Sequence, residues 1–295
     1  MQKISIVISG GSSKGAYQIG FFKALAKSGL SPFVQSVSAT SIGAINAYAF
    51  LENRLDLETQ LWLGLDLNGI WKFRSKIKDF LATSFSRLIN ATDYIPCDFY
   101  ITLSEMSTMT AEYFNMKGKM SPSKKGLLEA TISIPLLTTS PLQHNGKLYF
   151  DGGVTDNIPI APIVDKKQDI LFIVHFTPDY QIKQETLRKE AEIVYIDMSK
   201  SEEFMKGNFN FKHKQVKRMI EEGERYSLQI INEYFSQKKD EQINNAKKNA
   251  YYYFSGARLL AILNGILQIE KNKRVLYITK AKLFYIKLSS HIKKK

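Results

Sequence analysis

The chain has 295 residues, 44% of them hydrophobic, enough to bury a sizeable core and to exclude a disordered chain. Its single cysteine, Cys97, excludes an intramolecular disulfide, and no uncharged apolar run reaches the roughly 20 residues of a membrane-spanning helix. The formal charge of +13 is unevenly placed: residues 237–295 hold 14 Lys/Arg against 3 Asp/Glu, residues 1–236 hold 27 against 25.

In chain order, Lys3–Ser9 reads as a buried strand, followed by the glycine-rich turn GGSSKG and a helix over Ala16–Lys27, which Gly29-Leu30-Ser31-Pro32 closes. Phe33–Ala39 is the next strand and Ile42–Asn53 the next helix. Leu55–Ile89 carries Leu61, Trp62, Leu65, Trp71, Phe73 and Phe80 at helical spacing and reads as one or two amphipathic helices. Phe99–Leu103, Asp169–Phe176 and Ala191–Met198 read as further buried strands. Val216–Phe235 reads as a helix with an Ile230, Ile231, Tyr234 stripe. Alternating strands and helices predict an α/β fold, a mostly parallel central sheet flanked by helices in three layers. The composition change near Gln237 predicts two units: a domain over 1–236 and a basic, aromatic-rich extension over 237–295.

Both early turns then lie at the carboxyl ends of strands, where open α/β sheets place ligands. Ser41, in Ala39-Thr40-Ser41-Ile42-Gly43, stands where a strand turns into a helix, a position that exposes a nucleophile beside a helix N-terminus. A nucleophile elbow has glycine two residues either side of the serine; Gly43 is present and Ala39 replaces the first. The turn Gly10-Gly11-Ser12-Ser13-Lys14-Gly15 offers backbone N–H groups that suit either a phosphate or an oxyanion. Asp151, after the apolar run Lys147–Phe150 and before Gly152 and Gly153, suits either a turn-capping residue or a base. Of His144, His175, His213 and His291, only His175, at a strand end, stands where a triad base would sit.

Taken together, the three segments resemble the patatin-like phospholipase family. The likeness runs through EATISIPLLTTSPLQHNGKLYFDGGVTDNIPI and, more loosely, through Glu222-Gly223, covering residues 1–236. That resemblance implies a serine–aspartate dyad without histidine. Ser41 is then the nucleophile and Asp151 the base. Gly10, Gly11 and Ser12 form the oxyanion hole, supported by Ser13, Lys14, Gly15, Ala39, Gly43, Gly152 and Gly153. Lys14 positions the loop, Asp156 and Asn157 fix the turn after Asp151, and His175 is a satisfied residue at a strand end.

The implied activity is hydrolysis of fatty-acyl esters of phospholipids or lysophospholipids. The expected cofactor set is empty, with no metal and no calcium dependence, since a serine–carboxylate pair requires none. The expected location is cytoplasmic, peripheral on the membrane. Basic residues interleaved with apolar ones in 237–295 suit an anionic membrane surface. A weak or inactive membrane-binding protein on the same fold is the alternative. Nucleic-acid binding through the tail is a further one, not expected as the partner.

Overall fold

The structure is a computed structural model that describes residues 2–64, 87–88, 95–118, 123–133, 141–183, 186–187, 190–204 and 211–248. Strand β1 (Ile4–Ile8) leads through a 3-10 turn (Ser12–Lys14) into α1 (Gly15–Lys27). Strand β2 (Val34–Thr40) leads into α2 (Ile42–Leu51), then α3 (Leu55–Gly64). Next come β3 (Asp98–Glu105), β4 (Thr110–Asn115), α4 (Lys124–Thr131), β5 (Leu142–His144), β6 (Lys147–Asp151), β7 (Ile170–His175), β8 (Glu192–Asp197) and α5 (His213–Lys248). The expected strands and helices thus form within a residue or two of their expected bounds over the described segments. The expected helical stretch is borne out only over α3, where Leu61 and Trp62 are buried; Leu65, Trp71, Phe73 and Phe80 lie outside the described residues. Helix α5 is longer than the expected Val216–Phe235 and runs unbroken through residue 237, so the composition change falls inside a helix. The stretch from Asn249 onward lies outside the described residues.

Eight strands form one mixed sheet in the order β5-β6-β3-β2-β1-β7-β8, with β4 on the other edge of β3. The β1–β2, β1–β7, β2–β3 and β7–β8 pairs are parallel; β4, β5 and β6 join antiparallel. The parallel centre is covered on both faces, as its unbroken apolar runs require. On one face Ile6, Ile8, Phe172 and Val174 pack with α1, α2 and Trp62 of α3. On the other, Val7, Leu171 and Ile173 pack with Ile158, Ile160 and Ile163.

Two relationships position the site. On one edge of β3, β2 pairs with Asp98–Thr102 and β6 takes over along Leu103–Glu105, while β4 fills the opposite edge. Because β2 runs parallel to β3 and β6 antiparallel, the two meet head to head: Thr40 lies opposite Thr102 and Asp151 opposite Leu103. The second is the packing of α1 on α5. A Cβ on Gly20 would stand 2.3 Å from the Glu224 nitrogen, and one on Gly223 2.2 Å from the Tyr17 oxygen, so the two backbones touch.

Candidate active site

Ser41 follows β2 directly and caps α2 with φ 55° and ψ −135°, a left-handed conformation that non-glycine residues seldom adopt. A serine at this position ordinarily accepts a hydrogen bond from the first helical turn, and here it does not. Its hydroxyl instead donates to Asp151 Oδ2 at 2.7 Å. Both side chains are buried, Ser41 at 9% and Asp151 at 4% exposure. Burial pushes the Asp151 carboxyl up to about 6, against the opposing hydrogen bonds from Ser41 and the Gly153 N–H. The latter donates to Oδ1 at 2.8 Å, so each carboxylate oxygen has one donor.

Four residues to which the sequence assigned no role hold this pair and the turn after it. Thr131, at the end of α4, accepts from the Ser41 N–H at 3.0 Å and donates to the Thr102 carbonyl at 3.1 Å. Two residues on, the Ser133 carbonyl accepts from the Asp151 N–H at 3.1 Å. One short segment therefore grips both partners by their backbones. Ser104 donates to the Asp151 carbonyl at 2.9 Å, and Thr40 Oγ1 donates to the Asp156 carbonyl at 2.9 Å. Asp156 Oδ2 also accepts from the Tyr113 hydroxyl at 2.7 Å, which fixes the turn after Asp151.

The glycine turn lies against the serine. A Cβ on Gly10 would come 2.5 Å from Asn157 Oδ1 and 3.1 Å from Ser41 Cβ. Gly10 is nevertheless not an oxyanion donor, which corrects its expected role: its N–H donates to the Asn157 carbonyl at 3.2 Å. The Gly11 N–H has no hydrogen-bond partner among the described residues. Gly11 has φ −165°, and Ser12 turns the chain with φ 52°, carrying a Cβ where glycine would be unstrained. Ser13 is buried in the turn, and Gly15 starts α1 against Ile42.

The Lys14 ammonium lies 5.5 Å from the centroid of the Phe176 ring and 5.8 Å from that of Phe204, and burial lowers its pKa. Those contacts suit the positioning part expected of it. Ala39 is wholly buried between Ile8 and Ile101, and Gly43 packs α2 onto the Ser9 carbonyl. Gly152 abuts the Thr102 carbonyl, beside Gly153.

Behind the turn lies a buried polar network. Asn46 donates to the Gly15 carbonyl at 2.9 Å and to Gln18 Oε1 at 3.0 Å, and it accepts from Trp62 Nε1 at 3.2 Å. Gln18 in turn donates to the Ser9 carbonyl at 2.6 Å. The network ties α1, α2 and α3 to both ends of the glycine turn.

His175 is not hydrogen-bonded to the pair. It shares a sheet face with Leu171 and Ile173, opposite to α2, and is wholly buried between Tyr180 (5.4 Å) and Tyr195 (6.1 Å). Burial lowers its pKa, and Asp197 Oδ1 is 3.8 Å from Nδ1. Neither ring nitrogen meets full hydrogen-bond geometry among the described residues, the Thr177 backbone giving a weaker contact, and ring packing against the two tyrosines adds to what holds the histidine.

With this geometry in place, residues 6–95 match the family model described as "Patatin-like phospholipase". Over that span the chain is similar to patatin-like phospholipases. The match holds the glycine turn and Ser41, and Asp151 lies beyond it. Among curated proteins, the chain is 28% identical over 202 residues to lysophospholipase NTE1 of Yarrowia lipolytica and 26% identical to that of Meyerozyma guilliermondii. Both alignments cover 59% of this chain, which spans only 12% of the length of either relative. Among solved structures, VipD from Legionella pneumophila superposes with a TM-score of 0.50 at 13% identity, over 79% of this chain and 67% of that one. That likeness is one of fold, the expected α/β sheet flanked by helices. At family level the chain is thus related to lipid acyl hydrolases. No helix of the described residues is long and apolar enough to cross a membrane.

Proposed function

We propose that the protein is a lipid acyl hydrolase of phospholipase A or lysophospholipase type that works through a Ser41–Asp151 dyad. The observation that carries this reading is the 2.7 Å bond from the Ser41 hydroxyl to a buried carboxylate. Ser41 Oγ attacks the ester carbonyl as its proton passes to Asp151 Oδ2. The Gly11 N–H, the adjoining Ser12 amide and the start of α2 stabilise the oxyanion that forms. When the tetrahedral adduct collapses, Asp151 returns the proton to the leaving alcohol. Water then attacks the acyl-enzyme as Asp151 takes its proton, and Asp151 returns that proton to Ser41 Oγ as the C–O bond breaks and the fatty acid leaves. The raised Asp151 pKa makes its carboxylate a stronger base than an exposed one.

The substrate class follows the family match and the names of the curated relatives, and the reaction draws on no metal. The basic, aromatic segment 237–295 is proposed to hold the protein peripherally on an anionic bilayer, with nucleic acid not a partner. The deciding experiment measures fatty-acid release from lysophosphatidylcholine and from a p-nitrophenyl ester, together with fluorophosphonate labelling. Ser41→Ala should abolish labelling and release, and Asp151→Asn should lower release at least about 10³-fold. Retained turnover in either variant removes the dyad. A folded wild type that takes no label returns the alternative of an inactive membrane-binding protein, which the strained Ser12 turn favours.

A further inference from the structure

Four large apolar side chains are exposed among the described residues, and all belong to strands or turns next to Asp151: Met106 (56%), Met109 (54%), Leu148 (39%) and Val154 (53%). They are not scattered. The Met106 N–H donates to the Leu148 carbonyl at 2.8 Å, which joins the β3–β4 turn to β6. Met109 closes the same turn through its N–H to the Glu105 carbonyl at 2.9 Å. Leu148 and Val154 stand three residues before and after Asp151. Ser41 and Asp151 meet beside Thr102 and Leu103, and β3 and its turn into β4 project beyond that point along the same direction.

The turn is also built to present no charge. Its one acidic residue, Glu105, is 1% exposed and folded inward. Its Oε1 accepts from the Ser107 N–H and hydroxyl at 2.9 and 2.8 Å. Its Oε2 accepts from the Thr108 N–H at 2.8 Å and from the Thr108 hydroxyl. From Met106 to Ala111 no residue is ionisable. On the neighbouring strands, Lys147 and Glu112 are paired, with Lys147 Nζ 2.6 Å from Glu112 Oε1 and Tyr149 donating to Glu112 Oε2. An uncharged tip carrying flexible methionines can enter an apolar phase without stripping water from an ion.

We propose that Met106, Met109 and Leu148, with Val154 beside them, are the surface by which the protein seats on a lipid aggregate, with the Ser41–Asp151 site facing the acyl esters. The occupant is a lipid surface because the patch adjoins the strand that ends in Asp151. An acyl ester insoluble as a monomer must be met in its aggregate. The assignment of purpose rests on the hydrolase reading above; the docking itself is measured separately.

The test uses the full chain and sucrose-loaded vesicles of pure phosphatidylcholine, whose zero net charge removes the electrostatic attraction of the basic segment 237–295 in wild type and variant alike. The triple variant Met106→Ser/Met109→Ser/Leu148→Ser should lower vesicle partitioning about tenfold, with an unchanged melting temperature. Met109→Trp should raise partitioning several-fold. If the hydrolase reading holds, fatty-acid release from vesicles falls with partitioning while cleavage of a monomeric short-chain ester does not. If no ester is cleaved at all, that reading fails and the partition measurement still stands. A wild type that does not bind these vesicles, or a triple variant that binds them as well as wild type, overturns the proposal. So does a shift from dimer to monomer in the triple variant, which would make a second copy the occupant.

Discussion

Thr131 Oγ1 accepts the backbone N–H of Ser41 while the same hydroxyl donates to the Thr102 carbonyl, so a helix end ties the strained serine to the strand beside it. The φ of 55° at Ser41 is held from outside by this bond and by the head-to-head meeting of β2 and β6. The Ser41 and Asp151 side chains, 110 positions apart in sequence, then need little rearrangement before proton transfer.

The pH profile should report Asp151. Only the carboxylate accepts the Ser41 proton, so protonation removes the base. With its pKa raised to about 6, kcat/KM for a monomeric ester should be flat from pH 7 to 8 and half-maximal near pH 6. It should fall about tenfold per unit below that. A limb placed in the ordinary carboxylate range would contradict the burial argument.

The same burial should make the site a source of instability. An acid whose pKa is higher folded than unfolded binds its proton more tightly in the native state, so stability falls as pH rises from the ordinary aspartate range through about 6. Asp151→Asn retains an acceptor for the Gly153 N–H and removes the charge. It should be more stable than wild type at pH 8 by about 1–3 kcal/mol, several degrees in melting temperature, and no more stable at pH 4. Thermal melts at the two pH values give the difference directly.

Gly10 and Ser12 should respond in opposite directions. Gly10→Ala drives a methyl group into Asn157 Oδ1 and against Ser41 Cβ, and should lower kcat about 10²-fold. Ser12→Gly relieves a left-handed residue with φ 52° and should raise stability by up to about 1 kcal/mol without lowering kcat. Single-turnover kinetics and denaturant melts separate the two effects.

Asn46→Ala removes one side chain and leaves the Gly15 carbonyl, Gln18 Oε1 and Trp62 Nε1 without that partner in a buried place. A loss of about 2–3 kcal/mol is expected. The fall in activity should appear in kcat rather than KM, because the network supports the glycine turn and not the acyl chain.

His175→Phe should keep activity on a monomeric ester within about threefold of wild type, since the ring sits on the sheet face opposite to α2 and touches two tyrosines. An inactive but folded His175→Phe protein would bring a histidine back into the mechanism.

Much of the fold was legible because β1 and β7 are apolar runs ended by Gly10-Gly11 and by Pro178, and a parallel α/β sheet follows from the alternation of strands with helices. Ser41 and Asp151 were legible through neighbouring small residues, which the crowding at Gly43 and Gly152 explains. Strand β4 was not: TAEYFN lies on an edge with mixed exposure and shows no alternation. Thr131, Asn46 and Gln18 carry no local signature, because their roles exist only once distant segments meet. The Gly10 amide was misassigned for the same reason, its acceptor being 147 residues away at Asn157.

The glycine-to-glycine contact between α1 and α5 has a mechanical meaning. With Gly20 and Gly223 backbone to backbone, neither helix can slide without carrying the other. Helix α1 begins at the glycine turn, and α5 extends to Lys248, into the basic part of the sequence. A load applied to the far end of α5 is therefore transmitted, as through a rod and clamp, to the amides beside Ser41.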